Sequence, residues 1–100
     1  MRVTVNSTSQ QVIMRLDGRF DFEARRDFDN GVQQALADKA QQIVVNLSAV
    51  EYMDSSALGM LLVLRDKANA QGKRVVLGET RGMVKKILEV ANFQKLFEAV

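Results

Sequence analysis

At 100 residues the chain has room for one domain with one core, and 47% apolar against 26% charged residues is the balance of an ordinary globular protein. It has no Cys and no His, which removes disulfides, thiol chemistry, thiolate and imidazole metal sites and the usual proton shuttle. The formal charge is only +2, and the basic pairs Arg25-Arg26, Lys73-Arg74 and Lys85-Lys86 are scattered among carboxylates, so direct nucleic-acid binding finds little support.

The N-terminal residues Met1 to Asn6 pass into polar residues before any signal-like apolar region develops, and the apolar run Ala57 to Leu64 is far too short to span a bilayer. The expected location is therefore the cytoplasm, without membrane insertion. Val3 and Val5 alternate with polar neighbours, and after Ser7-Thr8-Ser9-Gln10 the period of two resumes at Val12, Met14 and Leu16. This pattern predicts two strands joined by a turn. Asp17-Gly18 signals a turn, and Asp21 is placed to cap a helix in which Phe28, Val32, Ala35 and Leu36 form one apolar stripe.

The nearly continuous β-branched run Ile43 to Leu47 predicts a central strand covered substantially on both faces, ending in Ser48 to Glu51. A second helix follows over 56–70, with Leu58, Leu61, Leu62 and Ala68 on one arc and Gln71-Gly72 closing it. Arg65 falls on the same arc, where its stem can lie along the core edge with its head in water. Val75 to Leu77 reads as a short strand, and Thr80 as the cap of a third helix carrying Val84, Ile87, Leu88 and Ala91. Asn92 is suited to end that helix in a left-handed turn. The remainder, 93–100, is read as a short edge strand with a frayed end. Strands alternating with helices call for parallel pairing, with all helices burying one shared core. The predicted fold is thus a single α/β domain over 1–100, with a mixed, mostly parallel sheet of four to five strands and three to four helices.

The stretch that invites a functional reading is Tyr52 to Leu64, where Asp54-Ser55-Ser56 precedes the most apolar helix of the chain, at the carboxyl end of the sheet. Asp54 or Ser55 can serve simply as an N-cap, or the turn can be a point of modification or partner contact. On the helical wheel Met60, Val63 and Lys67 fall away from Leu58, Leu61 and Leu62, as core packing against a neighbouring element or as a small docking patch. A serine nucleophile would lack a His base. Asp17, Asp21, Glu51 and Asp54 match no loop-type metal signature, and Gly78 to Gly82 lacks the ending of a phosphate loop. No enzyme activity and no cofactor are expected.

Val45-Asn46-Leu47 followed by Met53-Asp54-Ser55-Ser56-Ala57-Leu58-Gly59 resembles the signature of the STAS domain, specifically of the bacterial anti-sigma factor antagonists. Gly18-Arg19-Phe20-Asp21 is similar to the segment before that family's first helix, and Val84 to Leu88 with Phe93 resembles its C-terminal helix and exit. The family often has Gly where this chain has Ala57. The resemblance implies that Ser55 is phosphorylated by an anti-sigma factor that is also a serine kinase, and that a metal-dependent serine phosphatase reverses this. The unmodified form would bind the anti-sigma factor and free the sigma factor. Asp21, Asp54, Ser55, Ser56, Met60, Val63 and Lys67 would then meet the partner. The alternative use of such a chain is as a STAS subunit of a membrane transport complex, of the lipid-transporting ABC kind, or of a signalling scaffold.

Overall fold

The computed structural model of the chain describes residues 1–97. Arg2–Ser7 (β1) and Gln11–Phe20 (β2) pair antiparallel, and Thr8 closes the hairpin by accepting the N–H groups of Gln10 and Gln11 at its Oγ1. A 3-10 turn at Phe22–Ala24 leads into the helix Arg25–Ala37 (α1), and the chain returns through Gln42–Met53 (β3), parallel to β2. The helix Ser55–Ala70 (α2) crosses to Arg74–Gly78 (β4), parallel to β3, and the helix Gly82–Val90 (α3) follows. The sheet order is β1-β2-β3-β4. This is the predicted α/β fold, with four strands and three α-helices among the described residues.

One core serves every helix. Val12, Met14 and Leu16 of β2, Ile43, Val45 and Leu47 of β3 and Leu77 of β4 share it with Phe28 of α1, Leu61 and Leu64 of α2 and Leu88 of α3. The Phe20 and Phe28 rings meet within it, tilted by 36° with centroids 5.0 Å apart. β3 is not covered on both faces as the sequence suggests. Buried and half-buried residues alternate along it, and Val44 stands on the opposite face between Ile13 and Val76 in a cross-strand row. Three β-branched side chains abreast shield one another from water, which accounts for an apolar run without a second helical layer.

Three boundaries differ from expectation for identifiable reasons. Asp17-Gly18 is not a turn: β2 continues to Phe20, and Gly18, at φ 108°, sits at a register shift against β3. A left-handed backbone there suits glycine and bends the strand without ending it. β3 likewise runs on to Met53, which pairs with Phe20, so the loop before α2 shrinks to Asp54. Thr80 does not cap α3. The cap position is Arg81, whose Nη2 reaches back 3.1 Å to the Ser48 carbonyl of β3, and the helix starts at Gly82.

The C-terminal strand is also corrected. After Asn92, left-handed at φ 60° as expected, comes a 3-10 turn at Phe93–Lys95. Phe93 and Phe97 are both buried and stack at 5.4 Å, an i, i+4 pairing that a strand cannot make. Residues 98–100 lie outside the described part. Arg65 is half-buried, as the wheel suggests, and its Nε donates to the Leu96 carbonyl at 2.9 Å, tying α2 to this segment. Lys73, 6% exposed, donates through Nζ to the carbonyls of Asp38 and Ala40, closing the corner after α1.

Gly31 marks the closest approach of α1 to the sheet. A Cβ there would stand 2.6 Å from Cγ1 of Val3 and 3.3 Å from Cε of Met14. Gly31→Ala should therefore destabilise the fold by about 1 kcal/mol, overpacking of roughly 1–3 kcal/mol outweighing the helix-propensity gain of up to about 1 kcal/mol. Urea denaturation checks this; a rise in midpoint would show that β1 yields freely.

Candidate functional site

The site forms where β2 and β3 end side by side. Phe20 pairs with Met53, both buried, and the Asp54 N–H donates to the Phe20 carbonyl at 3.3 Å, so the turns carrying Asp21 and Asp54 adjoin. Each turn starts a helical segment in the same way. The Asp21 carboxylate accepts the Glu23 N–H at 3.1 Å, and the Asp54 carboxylate accepts the Ala57 N–H at 3.1 Å. Both residues are extended, the backbone shape of an N-cap.

Asp54 therefore holds the turn, and Ser55 is the first residue of α2. Among the described residues no hydrogen bond engages the Ser55 side chain, which is exposed; Ser56 is half-buried. The first N–H groups of a helix lack intrahelical acceptors, and the peptide dipoles place partial positive charge there, so a group added to the Ser55 hydroxyl meets surroundings that favour an anion. Asp54→Ala should cost about 1 kcal/mol of stability, while Asp54→Asn, an equally good cap, should cost little. A lowered urea midpoint for the first variant only is the expected reading.

Arg19 borders the same edge. Its guanidinium lies 4.2 Å from the Tyr52 ring centroid and its Nε 3.5 Å from Oδ2 of Asp21, a cation over an aromatic face beside a carboxylate. Sequence patterns give no reason to single out Arg19, because Tyr52 reaches it only through strand register.

Of the α2 residues placed on an outward face, Val63, at 50% exposure, and Lys67 are exposed, whereas Met60 is only 7% exposed, which corrects its position. The buried arc is Ala57, Met60, Leu61, Leu64 and Ala68, with Leu58 and Leu62 half-buried. α2 lies between α1 and α3, and a helix with neighbours on both flanks is apolar round most of its circumference. A wheel cannot tell its flanks from its centre.

Met60 still lines a groove. Phe22, Arg25 and Asp29 on one side and Ser56, Gly59, Met60 and Val63 on the other enclose about 330 Å³ between α1 and α2. Phe22, Arg25, Asp29 and Gly59 are the members the sequence reading missed; for Phe22, 63% exposed, an aromatic residue directly after a capping Asp and out of phase with the Phe28 stripe is the available signal. Among the described residues no cluster of three or more carboxylates is arranged to hold a metal ion, and no helix is long and apolar enough to cross a membrane. The arrangement offers a free hydroxyl at a helix start beside an apolar groove, which suits reversible contact with another protein.

The family model described as "Mlab, STAS domain" matches residues 3–98. The chain belongs to that family. A STAS-domain containing protein of Pseudomonas aeruginosa (strain UCBPP-PA14) is 39% identical over 93 residues, spanning 93% of this chain and 91% of that protein. The unphosphorylated form of the anti-sigma factor antagonist SpoIIAA superposes with a TM-score of 0.80 at 21% identity, covering 98% of this chain and 87% of SpoIIAA. The phosphorylated form of SpoIIAA, described as a Bacillus cell fate determinant, superposes at 0.65 with 20% identity, covering 98% and 90%. A sulfate transporter family protein from Wolinella succinogenes shares the fold at a TM-score of 0.72 and 15% identity, covering 88% and 76%.

Proposed function

We propose that the chain is an anti-sigma factor antagonist that acts by binding and not by catalysis, and that Ser55 is its phosphorylation site. The observation that carries this is the geometry of the turn. Asp54 supplies the cap, so the Ser55 hydroxyl is exposed and uncommitted at the helix start, while Ser56 is half-buried against the groove and harder for a kinase to reach. The unmodified surface, made of Ser55, Ser56, Asp54, Asp21, Val63, Lys67 and the groove edge at Met60, would dock an anti-sigma factor with serine kinase activity. A phosphate of about −1.5 to −2 charge would block that docking by bulk, desolvation and repulsion from carboxylates, without unfolding the domain. A metal-dependent serine phosphatase would reset it. SpoIIAA, known in both forms, offers a precedent on the same fold.

A second reading is a STAS subunit of a membrane transport complex, of the lipid-transporting ABC kind, or of a signalling scaffold. The Mlab type of the matching family and the Wolinella transporter-family structure favour it. Affinity purification of the tagged chain from its own cells, as wild type and Ser55→Asp, separates the two. Partner switching predicts a kinase-type anti-sigma factor in the cytoplasmic fraction with wild type only. Copurification with membrane ATPase components from both forms would favour the second reading.

A further inference from the structure

The sheet ends at β1 with an open edge. β4, at the other end, has Gln94 to Phe97 beside it, where they line a hollow with Arg74 and Val75, but among the described residues no hydrogen bond engages the outside of β1. Arg2–Ser7 contains no proline and keeps an unbroken register to β2, so nothing bends or blocks that edge. The hairpin closes with the Thr8 N–H donating to the Gln11 carbonyl at 2.8 Å. By the alternation of an antiparallel ladder, the backbone groups of Val3 and Val5 then point away from β2. Their half-buried side chains lie on the core face, paired with Leu16 and Met14, while Thr4 is exposed on the other face beside Arg15.

We propose that this edge pairs with β1 of a second copy of the chain, antiparallel about a two-fold axis at Thr4, joining the two four-stranded sheets into one. The strand is complementary to itself in this register. Val3 meets Val5 of the second copy, so valine packs on valine on the core face and their outward N–H and carbonyl groups bond to each other. Thr4 meets Thr4 and Arg2 meets Asn6, so no like charges stand opposite. A slip by one residue would turn the valines to the wrong face, and a slip by two would set Val3 against Ser7 or Val5 against Met1. The helices allow the approach. Gly31 has Val3 and Met14 as its near neighbours, so α1 rides between β1 and β2, and the two α1 axes would lie about two strand spacings apart, roughly 10 Å, the distance at which helices pack. The flank of α1 on this side carries Asn30 and Gln34, which line a hollow with Met1 to Val3, and their amides can bond to their copies. Phe22, Arg25 and Asp29 line the groove on the other flank, so both Ser55 surfaces stay open and the proposal does not depend on phosphorylation.

The chain has no cysteine of its own, so single introduced thiols report the register. Thr4→Cys would face its copy across a non-hydrogen-bonded pair at about 4.5 Å between Cα atoms, within disulfide reach. Asn6→Cys, also at an exposed position, would stand roughly 14 Å from its copy. The purified full chain should sediment as a dimer at rising concentration, and mild oxidation should cross-link Thr4→Cys about tenfold or more faster than Asn6→Cys. Thr4→Lys, which sets two ammonium groups across the axis, should give a folded monomer by circular dichroism and sedimentation, while Ser55→Asp dimerises like wild type. A monomer at every concentration, equal cross-linking at both cysteine positions, or a dimer that survives Thr4→Lys overturns the proposal.

Discussion

Ser55→Asp should weaken capture of the proposed anti-sigma factor partner by on the order of 100-fold, about 2.7 kcal/mol, while the domain stays folded. Two physical effects separate at this one position. For folding, a carboxylate in the first turn of α2 meets the positive end of the helix dipole and should leave stability unchanged or raise it by about 0.3–1 kcal/mol. For binding, the same charge enters a surface where Asp54 and Asp21 already lie at adjoining turns, and docking must desolvate it. Ser55→Ala removes the hydroxyl without adding charge and should retain capture within a few-fold. Calorimetric titration of wild type and both variants into the partner, with thermal melts alongside, reads both effects. Equal binding by Asp and Ala variants would count against Ser55 as the switch.

The largest effect on stability is expected at Phe28. Its side chain, 1% exposed, packs against Phe20 at 5.0 Å where α1 covers the sheet. Phe28→Ala removes a ring that the surrounding strands cannot follow inward, so the loss combines transfer and cavity terms, about 3–5 kcal/mol. Native domains have about 5–15 kcal/mol in total, so the variant should be marginal at room temperature. Because Phe20 leads directly into the Asp21 turn, the site should loosen with it. Urea denaturation should show the fall, and hydrogen exchange should show the Phe20–Ser55 backbone opening early. A loss below about 1 kcal/mol would mean that α1 collapses onto β2 and that the core is more plastic than described.

Much of this was legible because local chemistry and tertiary packing agree. The β1–β2 alternation, the Phe28 stripe and the left-handed Asn92 each follow from side-chain period or backbone preference and stand as expected, Asp54 takes the cap that the sequence left open between it and Ser55, and Asp21 caps the 3-10 turn before α1 in place of the helix itself. The misses lie where a long-range partner decides. Thr80 has cap chemistry, but Arg81 is drawn to the Ser48 carbonyl 33 residues away and the helix starts later. Phe93 to Phe97 has no clear period, and only the stacking of its two phenylalanines in the core fixes a turn there. Met60 shows the limit of a wheel for a helix with neighbours on both sides: its phase is right, but the flank it faces is occupied by α1. Of the site, the serine turn was visible in sequence. The groove was not, because Phe22, Arg25 and Asp29 join it only through the packing of α1 beside α2.

The central claim is that one phosphate on Ser55 decides partner choice without changing the fold. The most direct measurement starts by treating the purified chain with ATP and the anti-sigma factor kinase proposed as its partner, then mapping the phosphate by fragment mass spectrometry. The modified and unmodified chains are then titrated against the same kinase. A single phosphate on Ser55, a native thermal melt and loss of binding in the modified chain alone are the results predicted. A phosphate on Ser56 or elsewhere, or undiminished binding by the Ser55-phosphorylated chain, would contradict the account.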